Sequence, residues 1–507
     1  MFGVCKLKVL RGFLMAAAML SPLHAAIAAA DDRVVIASGT FPVSFDPQKD
    51  VGIPSLIVNA NIYDTLLQRD SALHIGPALA ESWRRVDNVT WELKLRKGVV
   101  YQNGEPFDAA DAKYSLDRVI DPAQKSAQRG WINTVSSVSV VDSQTLRLTT
   151  SNPDPALPAR LTLIFMVPQK YTEKVGAAGL AAHPVGTGPY EVGQWVRGDY
   201  VDLDMNPTYW GTKPQVQHAR FRVIPDAAAR IAALESKSVQ IITDFPPDYI
   251  QPIKTRPALK VEPVLSARVL FIGLVNTNPG PLQDVRVRQA INYAVNVNGI
   301  IKNLLLGNGE RIGDVNGHLL RLLGDSYKSK SYPFDPKKAK QLLTEAGFPN
   351  GFSIDLDTPS GRYLGDRDIA QVVASQLGAV GIKVNVKVNE WGAYSQKFTT
   401  HNTAPMYMLG WALPSLDPDS WATPLLGAGE PLSNFKDDKI QSLIVAANHE
   451  LDEKKRTALY EQLNDQIHDA APWLFLNQQV NIYGLDQAVS WTPRPDEMIR
   501  LSDIKLH

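Results

Sequence analysis

Covalent chemistry needs a nucleophile with its base, or a metal, and the 507 residues show neither in a recognisable spacing. There is no G-x-S-x-G elbow and no H-E-x-x-H zinc helix. The nine histidines are scattered, and no two of them sit three or four apart. Gly186-Thr187-Gly188 and Gly307-Asn308-Gly309 lack the G-K-[ST] ending of a phosphate loop and read as turns. Carboxylate pairs such as Asp437-Asp438 read as solvated surface. Arg362 carries a planar guanidinium that can hold a carboxylate bidentately. Trp391 and Trp411 can supply apolar walls.

These residues follow strands. Positions 353–357 alternate and predict a strand, with Ser360-Gly361-Arg362-Tyr363 just beyond it. Apolar residues at helical spacing predict a helix from 366 to 380, ended by Gly378 and Gly381. Ile382, Val384, Val386 and Val388 alternate strictly and predict a second strand. Glu390-Trp391-Gly392-Ala393-Tyr394 follows it. Strand, helix and strand make a βαβ unit, which implies a parallel sheet. Further helices are expected at 226–236, 285–297, 336–346 and 454–470, and a strand at 239–242. Residues 78–141 differ. Positions 90–95 and 145–149 alternate, Tyr101-Gln102-Asn103-Gly104-Glu105-Pro106 is a turn, and Asp108 can cap a helix over 109–119. This part reads as a separate α+β domain. No fixed repeat is visible, which argues against a solenoid.

Composition narrows the class. The length predicts two to four domains at about 100–200 residues each. Hydrophobic residues are 44% and charged residues 21%, as in ordinary globular chains. Lys+Arg and Asp+Glu are both 52, so no basic footprint for nucleic acid is expected. Lys6, Lys8 and Arg11 precede an apolar run over 12–20, then small residues ending Ala28-Ala29-Ala30. That order predicts an export signal cleaved after Ala30. A run of about nine residues is too short to span a bilayer, which takes roughly 20. Cleavage would remove three of the 52 basic residues, no acidic ones, and the single cysteine, Cys5. The expected product is an exported, cysteine-free protein with no disulfide framework and no multi-cysteine metal site.

One ordered series of motifs is specific. It runs Ala78-Leu79-Ala80-Glu81-Ser82-Trp83, Trp91 to Val99, Asn103 to Asp111, and Val185-Gly186-Thr187-Gly188-Pro189-Tyr190. It continues with Asn206-Pro207-Thr208-Tyr209-Trp210-Gly211, Asp284 to Ala294, and Phe334 to Leu343 with Ala346-Gly347-Phe348. The series resembles the family 5 (cluster C) extracellular solute-binding proteins of ATP-binding-cassette importers, the dipeptide, oligopeptide, glutathione and nickel group. It covers essentially the whole chain after residue 30. The resemblance implies an α/β fold of the periplasmic-binding-protein type II kind: two hinged lobes plus an extra α+β domain. It implies a first lobe over 31–60, 185–270 and 483–507, an extra domain over 61–184, and a second lobe over 271–482. Hinges are expected near 268–272 and near Tyr483.

The resemblance also implies a site and partners. A zwitterionic peptide sealed from water needs an acid for its ammonium and a base for its carboxylate. In the family's peptide binders an Asp shortly after a Gly-Trp strand end takes the ammonium. Here the segment is Gly410-Trp411-Ala412-Leu413-Pro414-Ser415-Leu416-Asp417, and Pro414 stands where that Asp would be. Asp417 and Glu390 are the alternative acids. The expected ligand-binding set is Thr40, Phe41, Arg362, Tyr363, Glu390, Trp391, Tyr394, Gly410, Trp411, Ala412 and Asp417. No catalysis, cofactor or metal is expected. The expected partners are a small-molecule or peptide ligand and an inner-membrane permease with its ATPase, the protein itself being a periplasmic monomer. A nickel chelate, haem, opine or oligosaccharide as ligand stays open, as do a ligand sensor and a secreted hydrolase.

Overall fold

The computed structural model describes residues 1, 3, 33–40, 42, 44–313, 328–412 and 415–507. The export signal, Phe41, Leu413 and Pro414 lie outside the described residues. The first strand is β1 (Arg33–Ser38). A hairpin follows, β2 (Leu67–Arg69) with β3 (Ile75–Pro77). Then come β4 (Ala80–Arg85), β5 (Thr90–Leu95), β6 (Val135–Asp142) and β7 (Thr145–Thr150). These four make their own antiparallel sheet, in the order β4-β5-β7-β6. The helix Ala109–Ile120 packs on it, and Asp108 and Asp111 close a reciprocal capping box at its start. The turn before it is also as expected, with Gly104 at φ 82°.

The remaining strands build one mixed sheet of 11. They are β8 (Tyr190–Val196), β9 (Tyr200–Met205), β10 (His218–Val223), β11 (Ile241–Ile242), β12 (Leu259–Leu274), β13 (Gly309–Arg311), β14 (Phe352–Pro359), β15 (Ile382–Asn389), β16 (Met406–Trp411) and β17 (Trp473–Asp486). With β1, the order is β15-β14-β16-β12-β17-β11-β1-β10-β9-β8, and β13 pairs with β17. The βαβ unit is present: β14 and β15 are parallel, joined by the helix Asp366–Gly378. Because β15 is an edge strand, its valine face is only half-covered, and Val388 is exposed.

β12 and β17 run through both lobes. Their ladder pairs Leu259–Leu265 with Val480–Asp486, breaks, and resumes at Val269 opposite Gln478. On one side of the break lie β1 and β8–β11, the first lobe; on the other lie β13–β16, the second. Each side has its own apolar core. Val34, Ile36, Tyr190 and Leu203 belong to the first, and Ile272, Leu356, Ile369 and Met408 to the second. A further cluster around Trp421 and Trp473 fills the other face of the second lobe. The four-stranded sheet is tied to the first lobe by buried polar contacts. Asp46 pairs with Arg118, and Asp64 accepts from Thr187 Oγ1 (2.9 Å) and Trp210 Nε1 (2.8 Å).

Two expected elements are shorter than their periodicity suggests. The helix expected over 285–297 ends at Ala294, Val295 turns extended, and Asn296 caps a new helix, Val297–Asn303. The side-chain oxygen of Asn296 accepts from the Gly299 N–H, a competing bond that favours starting a helix over continuing one. The strand expected at 239–242 is two residues, Ile241–Ile242.

Candidate ligand cleft

In the second lobe, the loop after β14 is shaped by one carboxylate. Buried Asp366 accepts the backbone N–H groups of Gly361 (3.1 Å), Arg362 (2.9 Å) and Tyr363 (3.0 Å). Gly361 and Gly365 supply the left-handed backbone the loop needs, at φ 76° and 69°. Arg362 is thereby set over two rings, 5.2 Å from the Tyr363 centroid and 5.0 Å from the Trp391 centroid. Among the described residues no carboxylate lies within ion-pair distance of its guanidinium. Burial pulls that guanidinium below its ordinary pKa, and the charge on Arg268 adds to the effect.

Around it the expected residues converge in part. Trp391 packs edge-on to Tyr363 (6.2 Å) and stacks near Tyr394 (6.0 Å). Gly410 lets the Tyr363 ring lie against β16, since a Cβ there would meet it at 2.5 Å. Trp411 is half-buried and donates through Nε1 to Ser420 O (3.0 Å), and Ala412 beside it is also half-buried. Thr40 lies across the sheet at the end of β1, exposed, its carbonyl accepting from Ser38 Oγ (2.7 Å).

Three residues are committed elsewhere. Glu390 caps the helix Trp391–Thr399, accepting from Gly392 N (2.7 Å) and Ala393 N (3.2 Å), and those bonds hold its carboxyl below the usual range. Tyr394 is fully buried, with its hydroxyl on Met408 O; it is core. Asp417 is buried and gripped bidentately by Arg456 (2.7 and 2.8 Å). Burial alone would raise its pKa, but Arg456 holds it below the ordinary value. Asp417 is therefore not a free acid for a ligand cation, whereas Glu390 is exposed and spends one carboxylate oxygen on the cap.

The structure adds residues that spacing did not reveal. At the break in the β12–β17 ladder, Arg268 pairs with Glu497 (3.1 Å), Ser266 Oγ donates to the same carboxylate (2.9 Å), and Arg268 Nη1 donates to Gly410 O (3.2 Å). Burial would raise Glu497, yet Arg268 keeps it below its ordinary value. At the end of β11, Asp244 is exposed in a left-handed conformation (φ 52°). Arg230 holds its carbonyl (3.3 Å) together with those of Ile224 (2.8 Å) and Pro225 (2.9 Å), beneath Gly39. Asp244 therefore stands beside Thr40 at the carboxyl ends of the parallel strands β1 and β11, where open α/β sheets take ligands. The pocket lined by Tyr63, Asp64, Arg69 and Arg500 is separate from this group. Among the described residues no three His, Cys, Asp or Glu side chains are grouped to hold a metal.

Comparison with known proteins agrees with this architecture. The model of the bacterial extracellular solute-binding proteins, family 5 (middle) matches residues 74–431. The dipeptide-binding protein of Escherichia coli K12 is 30% identical over 491 residues, covering 87% of this chain and 88% of that one. The glutathione-binding protein GsiB of Shigella dysenteriae serotype 1 is 28% identical over 484 residues, 92% of each chain. Among solved structures, the periplasmic binding protein DppA of Helicobacter pylori, in complex with the peptide STSA, superposes with a TM-score of 0.82 at 27% identity. That match covers 94% of this chain and 98% of that one. Matched by that family model over residues 74–431 and by a relative at 30% identity along most of its length, this two-lobed α/β chain belongs to the family 5 extracellular solute-binding proteins.

Proposed function

We propose that this protein is the periplasmic substrate-binding component of an ABC importer. It takes a short peptide or modified peptide and delivers it to an inner-membrane permease by closing its lobes. The observation that carries the ligand class is Arg362: a half-buried guanidinium stacked on two rings, with no carboxylate among the described residues at ion-pair distance. A ligand carboxylate would satisfy it bidentately. Trp391 supplies apolar surface beside it. Asp244, exposed at the facing strand ends, is the acid best placed for a ligand cation, in keeping with the commitment of Glu390 and Asp417 to other partners.

The protein does no covalent chemistry in this reading, and needs no cofactor, metal or nucleic acid. It acts as a monomer after cleavage near Ala30. The lobe boundaries proposed are 31–60, 185–270 and 483–507 for the first, 61–184 for the extra domain, and 271–482 for the second. The break in the β12–β17 ladder supports a hinge just before Val269. No helix among the described residues is long and apolar enough to cross a membrane.

The test is a thermal-shift panel on residues 31–507 with dipeptides, tripeptides, glutathione, opines, nickel chelates, haem and short sugars. Ligand at about 100 times its Kd adds roughly 2.7 kcal/mol of stability. Peptides are expected to raise the melting temperature, and Arg362→Ala to cost the loss of a charged hydrogen bond, about 1.5–3 kcal/mol of binding. A shift with unrelated ligands alone would sink the peptide assignment and keep the transport class.

A further inference from the structure

The tip of the β2–β3 hairpin is not where a leucine belongs by ordinary rules. Leu73 has a left-handed backbone (φ 69°), yet its side chain is 3% exposed. It belongs to the same apolar cluster as Leu416, Trp421 and Trp473 of the second lobe. The hairpin itself is rooted elsewhere: Leu66 and Leu67 lie in the core of the four-stranded sheet. Arg69 braces the tip. It donates through Nη1 to Leu73 O (2.5 Å) and through Nη2 to Ser415 O, across the gap between domains. A second bridge lies nearby. Arg160, at the end of the helix Leu157–Arg160, pairs with Asp154 of its own domain (2.8 Å) and with Asp419 of the second lobe.

An apolar, a carbonyl and an ionic contact thus land on one five-residue segment, 415–419. That segment follows β16 and the cleft residues Gly410, Trp411 and Ala412. Each partner also keeps a local bond. Arg160 has Asp154, Asp419 has Thr423 Oγ1, and Arg69 has Leu73 O. Arg160 and Asp419 can part with each keeping a polar partner, as a reversible closure requires.

We propose that the extra domain is a clasp. Its hairpin and Arg160 hold the 415–419 segment of the second lobe when the lobes are together, and so add free energy to the closed state. Only contacts present in one state bias a two-state equilibrium. Affinity for any ligand that needs closure scales with the fraction already competent to close. The clasp therefore tightens every ligand alike, while Arg362 and its neighbours choose among them. This rests on the lobe-closure reading above.

The cysteine-free chain left after residue 30 makes the test clean. Spin labels at Ser236→Cys and Lys383→Cys, one exposed position on each lobe, report the interlobe distance by pulsed electron resonance. A tryptone digest serves as the source of short peptides. In the labelled parent the digest should enrich the short distance. Leu73→Ala and Arg160→Gln should each lower the short-distance fraction and demand about tenfold more digest for the same closure. Arg160→Lys should recover part of the loss, and melting temperatures confirm that the variants are folded. If the parent closes and both variants close identically, the clasp is wrong and the importer reading stands. If the parent's distance ignores the digest, peptide-driven closure fails; if Leu73→Ala and Arg160→Gln also leave the digest-free distance distribution unchanged, the clasp fails with it.

Discussion

Asp111 shows how a local signal and a tertiary environment meet in one side chain. Its place three residues after Asp108 marks a helix start, and it accepts from the Asp108 N–H (3.3 Å) as a capping box requires. It also accepts from Gln169 N (2.9 Å), a contact across 58 residues. Burial pushes its carboxyl up to about 6, from an unfolded value of about 3.9. Raised in the folded state, the group contributes stability that is fully present below about pH 4 and lost as pH rises through 6. Asp111→Asn should remove that dependence. Melts from pH 4 to 7 should show the variant gaining on the parent as pH rises; a constant difference would contradict the assignment. Legibility at this scale depends on whether the partner is near in sequence. Arg362 is exposed to reading because it follows a strand. Asp417 is not, because Arg456 is 39 residues away and only the fold brings them together.

At the scale of elements, β16 and the loop after β14 depend on one another through Gly410. Its missing Cβ makes room for the Tyr363 ring, on which Arg362 rests. Gly410→Ala should cost about 1–3 kcal/mol as overpacking, read by urea unfolding. It should also weaken ligand binding, because the ring that must move carries the guanidinium. Unchanged stability would mean that the loop yields freely. Most elements were legible: β14, β15 and the helix between them follow their periodicities. The break after Ala294 was not. Apolar spacing continues through it, and the cap that starts the next helix is a single Asn hydrogen bond.

For the whole molecule, the break in the two long strands, where the hinge is proposed, is held by charge. Arg268 is buried against Glu497, with Ser266 and Gly410 as further partners. Burial opposes both charges, and each is kept ionised by the other. Removing one leaves a buried charge unpaired, so Arg268→Met should destabilise the protein by about 3–5 kcal/mol in urea. Replacing both with apolar residues should recover much of that loss. Equal losses for the single and double changes would show that the packing of Arg268, not its charge, holds the junction.

The sequence by itself determined what depends on neighbours along the chain. Periodicity set the strands and helices, Asp108 and Gly104 set a cap and a turn, and the ordered motifs identified the family. It also showed which catalytic spacings are missing. Tertiary structure alone decided which charges are free. Glu390 turned out to cap a helix, Tyr394 to fill a core and Asp417 to pair with Arg456, while Arg362 has no ion-pair carboxylate among the described residues and Asp244 stays exposed beside the Thr243 hydroxyl. The reason is physical. A side chain's desolvation and pairing are set by residues that meet it in space, and Arg268 and Glu497 are 229 positions apart. No local pattern records such a meeting.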